Sequence, residues 1–592
     1  MFGWRKTPVP VWHHPAYRLP LPSLEALRSL DARRADSAAF YLLHSRTIAR
    51  DLFRRPAPIS YVDLARVHSE ALLESLSEPS TLARVFAVDA LDVAVDELMH
   101  TVRLACGGTL EAAREALERR GPTLNLLGGF HHAAPDRASS LCPVNDVAVA
   151  IAVLRAQGFT GRVAVLDFDA HPPDGTSACL VSDARTWLGS ISGSDWGALP
   201  GVDETVLAPG TGDDAYLAAL GALLSRMPGS DLAFVLAGGD VLAGDRMGQI
   251  GLTLEGVRER DLRVAEALRD VPSVWLPAGG YHASAWRVLA GTGVALARRS
   301  RRTIPEEYDP LGARFSAIAR ELSPAALAGG GTSEVESEGW GLSQEDLDSA
   351  MGLRPAAATR LLGFYTAAGL EYGFARYGLL PHLERLGYGA FRIALDQDLA
   401  GDRLRLYGSA DGREHLLVEC VVERRTIGER EVLFVHWLTL RNPRALFTDR
   451  RPRLPGQEVP GLGLAREADE MLLRMAKRLG LAGVAFQPAQ FHVAAVASAR
   501  YRFLDPRRQG RFEALVRDLA FLPLQEATAC IASGKVRMTR EAGPTPDAPY
   551  AWEPDEMIQW VQAPPFDEAA CAAEREGVHF AVTPAEHAAD AV

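Results

Sequence analysis

Between residues 100 and 295, short apolar runs that end in acids or glycines alternate with helix-like stretches. No other feature of this chain restricts its fold as strongly. "RVAVLDFDA" (162–170), "DLAFVLAGGD" (231–240) and "SVWLPAGGY" (273–281) read as strands. "NDVAVAIAVLRAQG" (145–158) and "TLEGVRERDLRVAEALRD" (253–270) read as helices between them. A strand that is apolar on both faces must be covered on both faces. Strand–helix alternation of this kind therefore predicts an α/β fold with a parallel sheet between helical layers. In such sheets ligands collect beyond the carboxyl ends of the strands, where all three runs turn polar or glycine-rich.

The chain has 592 residues, too many for one ordinary core, so at least two domains are expected. "LSPAALAGGGTSEVESEGWG" (322–341), with its small and acidic residues and glycine triplet, reads as a flexible linker. That places one domain at 1–321 and a second at 342–592. The second opens with helical texture (343–386) and continues with "FRIALDQ", "RLRLYG", "HLLVECVVER" and "VLFVHWLTL". A mixed helix-and-sheet segment follows to about residue 540. Grouped strands predict a separate α+β domain, its first four strands mainly antiparallel.

Composition excludes several roles. A formal net charge of -12 disfavours coating nucleic acid or anionic membrane, because phosphates attract the opposite sign. Six cysteines with no CxxC pair form no disulfide framework, which fits a reducing compartment. The start carries no apolar run of the secretory kind, and no uninterrupted apolar stretch is long enough to span a membrane. The expectation is a cytoplasmic protein with neither a membrane nor a nucleic acid as direct partner.

Four segments carry chemistry. "LLGGFHHAAPDRASSLCPVND" (126–146) sets His131 and His132 side by side after two glycines; a glycine turn can aim both into one cavity, or leave them as a polar surface turn. "VLDFDAHPPDGT" (165–176) supplies Asp167, Asp169, His171 and Asp174. Asp169 and His171, two apart, share one strand face and suit zinc, although an acidic loop with capping aspartates fits the same letters. "LAGGDVLAGDRMGQIGLT" (236–253) offers Asp240 and Asp245 in what is equally a plain turn. "LPAGGYHASAW" (276–286) places Tyr281 just after two glycines, where an ordinary partly buried tyrosine fits the same letters.

Taken in order, "HHPAYRLPLP", "LARVHSEALLESL", "GGFHHAAPDRASSLCPVND", "LDFDAHPPDGT", "GGDVLAGDRMG" and "PAGGYHASAW" resemble the zinc-dependent histone deacetylase family. The resemblance is to its bacterial type, with the arginase/deacetylase fold, over residues 10 to 300. It implies one zinc ion on Asp169, His171 and Asp245, polarising an amide carbonyl and acidifying water. It implies that His132, backed by Asp174, is the general base and then the acid, and that His131, backed by Asp167, is an electrostatic partner. Tyr281 would donate to the oxyanion. A monovalent cation, usually potassium, would lie on Asp167, Asp169, His171, Ser190 and Ile191, and Leu141, Leu199, Leu252 and Gly280 would line the substrate tunnel.

Several letters depart from the family pattern. Pro172-Pro173 stands where it has His-Gly, Ser140-Leu141 where it prefers Gly-Phe, Leu199 at a second tunnel aromatic, and Ser192 where histidine is common. Losing two aromatics changes the shape of the channel around a lysine stem. The implied activity is hydrolysis of acyl-lysine in proteins or peptides. The alternatives are deacetylation of small amines such as acetylpolyamines, or a non-catalytic binding module, which the complete ligand set opposes. Leu252, with no acid to meet a polyamine, favours lysine.

The C-terminal half loosely resembles a GNAT acyltransferase core. Gly461 and Gly463 in "PGLGLAREADEMLLRMAKRLG" open a helix as an acyl-coenzyme A loop would, although Glu458 stands where that family has Gln or Arg. This resemblance implies a bifunctional deacylase–acyltransferase. The same loop also suits a plain interaction domain whose helix packs through Leu472, Met475 and Leu479.

Overall fold

The computed structural model describes residues 8–21, 24, 30–328, 360–448, 451–540 and 549–583. They form two compact units, Met1–Ala313 and Arg314–Val592.

The first unit is built on an eight-stranded sheet with every strand parallel to its neighbours. Its strands are β1 (Val11–Trp12), β2 (Phe53–Arg54), β3 (Pro122–Asn125), β4 (Val163–Asp167), β5 (Thr186–Ser192), β6 (Val202–Val206), β7 (Leu232–Leu236) and β8 (Ser273–Leu276). They lie in the order β2-β1-β3-β8-β7-β4-β5-β6. Alternate residues of the central strands enter different cores: Ala164, Leu166, Ala233 and Val235 join one, Val163, Val165, Phe234 and Leu236 the other. That two-sided burial is why these runs are continuously apolar, as the parallel α/β reading expects. Asn145 caps the helix Asp146–Ala156, its side chain accepting from the Ala148 amide, and Thr253 caps Leu254–Ala267 through the Gly256 amide.

The second unit holds two short antiparallel pairs, β9 (Arg360–Leu361) with β10 (Tyr365–Thr366), and β17 (Val536–Arg540) with β19 (Val578–Val582). It also holds a seven-stranded mixed sheet. Strands β11 (Gly389–Asp398), β12 (Gly401–Ala410), β13 (Arg413–Ile427) and β14 (Arg430–Leu440) run antiparallel, as the four strand-like stretches predict. β15 (Gly483–Phe486) then pairs parallel to β14, and β18 (Met557–Trp560) joins it to β16 (Arg502–Phe503). On the helix Ala465–Arg478, Leu472 is buried, and Met475 and the C-cap residue Leu479 are partly buried against the same core. The divide between the units precedes the composition shift read as a linker. Leu322 and Leu327 are buried in the second core, and Pro324–Leu327 is helical; residues 329–341, and the predicted helical texture of 343–359, lie outside the described residues. No helix among the described residues is long and apolar enough to cross a membrane.

Candidate active site

The site forms at the carboxyl ends of β3, β4, β7 and β8, the four central strands. After β3 the chain turns through Gly128 (φ 144°) and Gly129 (φ 83°), left-handed conformations that cost glycine nothing. Asp146, fully buried at the start of its helix, accepts the Gly129 and Phe130 amides and the Thr109 hydroxyl. The turn so held aims both histidines inward, with ring centroids 4.0 Å apart. Farther along, the Thr176 amide donates to the His131 carbonyl.

Each imidazole has its own carboxylate. His131 Nδ1 lies 2.9 Å from Asp167 Oδ2, and His132 Nδ1 lies 2.7 Å from Asp174 Oδ1. Burial works against a charge on His131, but Asp167 and Asp169 outweigh it and hold the ring up at about 9. Burial and the neighbouring His131 pull His132 down, despite Asp174. Of the adjacent rings, His131 thus carries the proton and His132 stays neutral near neutral pH. Arg137, itself exposed, binds the other oxygen of Asp174 at 3.0 Å.

After β4 come Asp169 and His171. Three groups that could hold a metal ion cluster here, Asp169, His171 and Asp240, with one potential ligand atom of each within 4.8 Å of the others. His171 Nδ1 is 3.0 Å from Asp169 Oδ1 and 3.2 Å from Asp240 Oδ2. Burial pushes Asp240 up, and the charge of Asp169 adds to it, to about 7. Burial would likewise raise Asp169, but His131 and His171 hold it well below the usual carboxylate range. Burial would lower His171, yet the same two acids push it up to about 11. Two carboxylates and an imidazole this close together are a group that could hold a metal ion.

Asp245, the aspartate that the resemblance assigns as third ligand, lies outside that cluster. Its carboxylate accepts the amides of Met247, Gly248 and Tyr281, which ties it to the tyrosine's own backbone. After β8, Gly279 donates its amide to Asp169 Oδ2 at 2.7 Å. A Cβ at Gly279 would stand 2.5 Å from Asp240 Oδ2 and 2.6 Å from Asp169 Oδ2, so only glycine fits. Gly280 and Tyr281 follow. Burial and the charges of Asp169 and Asp240 keep the Tyr281 hydroxyl protonated, well above its ordinary value. Arg34 holds this segment by donating to the Ala278 and Gly280 carbonyls.

The remaining predicted positions divide. Ser190 faces Asp167 across the β4–β5 register, its Oγ buried and without a hydrogen-bond partner, and Ile191 is fully buried beside it. An orphaned buried hydroxyl next to a carboxylate suits a hard cation. Leu141 and Leu199 are half-buried, whereas Leu252 is wholly buried in the core, its amide on the Val241 carbonyl. Leu252 therefore offers no surface to a substrate, and the inference drawn from its lack of charge falls away. Sequence reasoning missed Asp240 as part of the cluster, Asp146 and Arg34 as supports, and Trp196, whose ring stacks 5.4 Å from His132. Only Asp240, placed after two glycines at a strand end, carried a usable signal.

A parallel sheet whose carboxyl edge gathers two carboxylate-backed histidines, a buried Asp-His-Asp cluster and a protonated tyrosine defines a hydrolase site. Comparison with known proteins agrees. The histone deacetylase domain family matches residues 29–295. Histone deacetylase 2 of Arabidopsis thaliana is 30% identical over 317 residues, 50% of this chain and 81% of that protein. A probable deacetylase of Archaeoglobus fulgidus is 27% identical over 287 residues, 44% of this chain and 79% of that protein, and histone deacetylase 8 of Xenopus laevis 26% over 294, 43% and 88%. The chain belongs to the histone deacetylase family, and it is a hydrolase that acts on amides.

Proposed function

We propose that the first unit removes acyl groups from lysine side chains of proteins or peptides. The observation that carries the reading is the pair of carboxylate-backed histidines beside the Asp169–His171–Asp240 cluster. Its likeness to proteins named histone deacetylases supports the substrate class. Asp169 and His171 would hold zinc together with one aspartate of the loop after β7: Asp240 by proximity, Asp245 by family resemblance. Zinc so held supplies Lewis acidity for the amide carbonyl and for a water. With Nδ1 committed to Asp174, His132 has Nε2 free to take a proton from the attacking water and return it to the leaving amine. His131, kept protonated by Asp167, offsets the negative charge that develops, and the Tyr281 hydroxyl donates to the oxyanion. Potassium on Asp167, Asp169, His171, Ser190 and Ile191 would satisfy the orphaned Ser190 hydroxyl.

A panel of acyl-lysine peptides and acetylpolyamines, assayed with metal content measured in parallel, tests this reading. Acyl-lysine hydrolysis by wild type should fall about a hundred- to a thousandfold in Tyr281→Phe, with metal retained. Asp169→Asn and His171→Ala should each lose the metal, and whichever of Asp240→Asn and Asp245→Asn also empties the site identifies the third ligand. Turnover confined to acetylpolyamines would overturn the lysine assignment.

A second reading concerns the second unit. The pairing of β14 with β15 covers Leu433–Val435, while β14 runs on to Leu440, next to the loop of Gly461 and Gly463 that opens the helix Ala465–Arg478. A strand that outlasts its parallel partner beside a helix start supports the GNAT-like, acyl-coenzyme A-binding alternative. Calorimetry of the full chain with acetyl-coenzyme A is expected to give saturable heat; none at millimolar ligand leaves the interaction-domain role.

A further inference from the structure

Between β5 and β6 the chain makes a loop, 193–201, anchored at both ends. The Gly193 amide donates to the Ala170 carbonyl at 2.8 Å, and the Ser177 hydroxyl donates to the Pro200 carbonyl at 2.6 Å. At its tip, Asp195 accepts the Gly197 amide and so fixes the turn that carries Trp196. The indole lies over the reacting groups. Its ring centroid is 5.4 Å from that of His132, with planes 29° apart, and 6.2 Å from that of His171. The ring packs beside both imidazoles, yet Trp196 remains 49% exposed. About half of this aromatic residue therefore stays exposed next to His132 and His171.

The two positions where the family resemblance places tunnel aromatics hold Leu141 and Leu199, which cannot clamp an alkyl chain between flat rings. An uncharged methylene stem is held by burial of its apolar area, and a rigid aromatic offers a large flat surface for it. We infer that Trp196 is the specificity-determining wall of this site, against which the alkyl stem of the acylated amine lies as its amide reaches His132. The inference rests on the amide-hydrolase reading of the same site. Trp196 exchanges no proton; it selects substrates by the length of carbon chain between the amide and the bulk of the substrate.

The test uses the full chain as Trp196→Ala and Trp196→Phe, with an Nε-acetyl-lysine peptide and an otherwise identical peptide whose acetylated side chain has a shortened stem. For the lysine peptide, Trp196→Ala should raise KM about tenfold while kcat stays within about threefold, and Trp196→Phe should stay close to wild type. For the shortened stem the three proteins should have the same KM. An unchanged KM in Trp196→Ala, a loss confined to kcat, or an equal loss for both peptides would overturn the proposal, since a loop that merely shapes the site would affect both stems alike. Binding of the lysine peptide by calorimetry, with Tyr281→Phe as an inert background, separates the two readings. Weaker binding on adding Trp196→Ala upholds the wall even if wild type does not hydrolyse the peptide. No binding with Trp196 in place removes the wall as well.

Discussion

Gly279 shows how little freedom the site leaves to a single residue. Its missing side chain lets the backbone amide reach Asp169 while Asp240 closes from the other side. Gly279→Ala would put a methyl group where two short, buried carboxylates already stand. Misplacing reacting groups by about 1 Å can cost about a hundredfold in turnover, and forcing volume into a packed site costs about 1–3 kcal/mol. Gly279→Ala should therefore lose about two orders of magnitude in kcat and melt earlier than wild type. Wild-type kinetics in this variant would mean that the two acids do not act at this spacing. Ser140 and Leu141 show the opposite economy: both take left-handed conformations (φ 47° and 65°) where the family pattern has glycine first.

Elements, rather than single residues, hold the histidine turn in place. His68, in the segment between two short helices, bridges to the loop beyond the turn: its Nδ1 donates to the Ala134 carbonyl and its Nε2 accepts the Asn145 amide at 2.9 Å. Both ring nitrogens are committed in the neutral form, and burial pulls the group down to about 4 against backbone bonds that raise it. The unfolded chain, with an ordinary histidine near 6.5, binds the proton first. Stability therefore declines as pH falls from about 6.5 to about 4 and changes no further from this group below that. The loss amounts to about 3 kcal/mol. Urea unfolding across this window should show a shallower pH slope in His68→Gln than in wild type; identical slopes would assign the titration elsewhere. Asp146 supports the same turn from the helix side, and Asp146→Ala, which orphans two buried amides, should cost about 2–4 kcal/mol in the same measurement.

The whole molecule is two compact units in one chain, and each should answer to its own perturbations. Leu417 is completely buried in the second core. Leu417→Ala should destabilise that unit by about 2–5 kcal/mol through lost burial and the cavity left behind. In scanning calorimetry of the full chain, only the transition of the second unit should move, while amide hydrolysis at low temperature stays as in wild type. If both transitions shift together, the units unfold as one.

Much of this was legible in the letters because local chemistry dictates it. Continuous apolar runs ending in Asp167 or in a glycine pair, alternating with helix-like stretches, predict buried parallel strands, while His131, His132, Asp169, His171 and Tyr281 were gathered into one site by the family resemblance of their motifs. The antiparallel run β11–β14 followed from the grouping of four strand-like stretches with no long crossover between them. What remained depends on approach between distant segments. Asp240 and Asp245 are both acids in one glycine-rich loop, and nothing local says that Asp240 reaches His171 while Asp245 turns back to the Tyr281 amide. Leu252 looks like a rim residue until its strand-like pairing to Leu242 buries it. Trp196 is an unremarkable letter among Gly, Ser and Asp until the fold lays its ring over two imidazoles that stand far from it in the chain. Periodicity reports which face a residue takes on its own element; which atoms meet across elements is set by packing, and the chemistry of this site lies in those meetings.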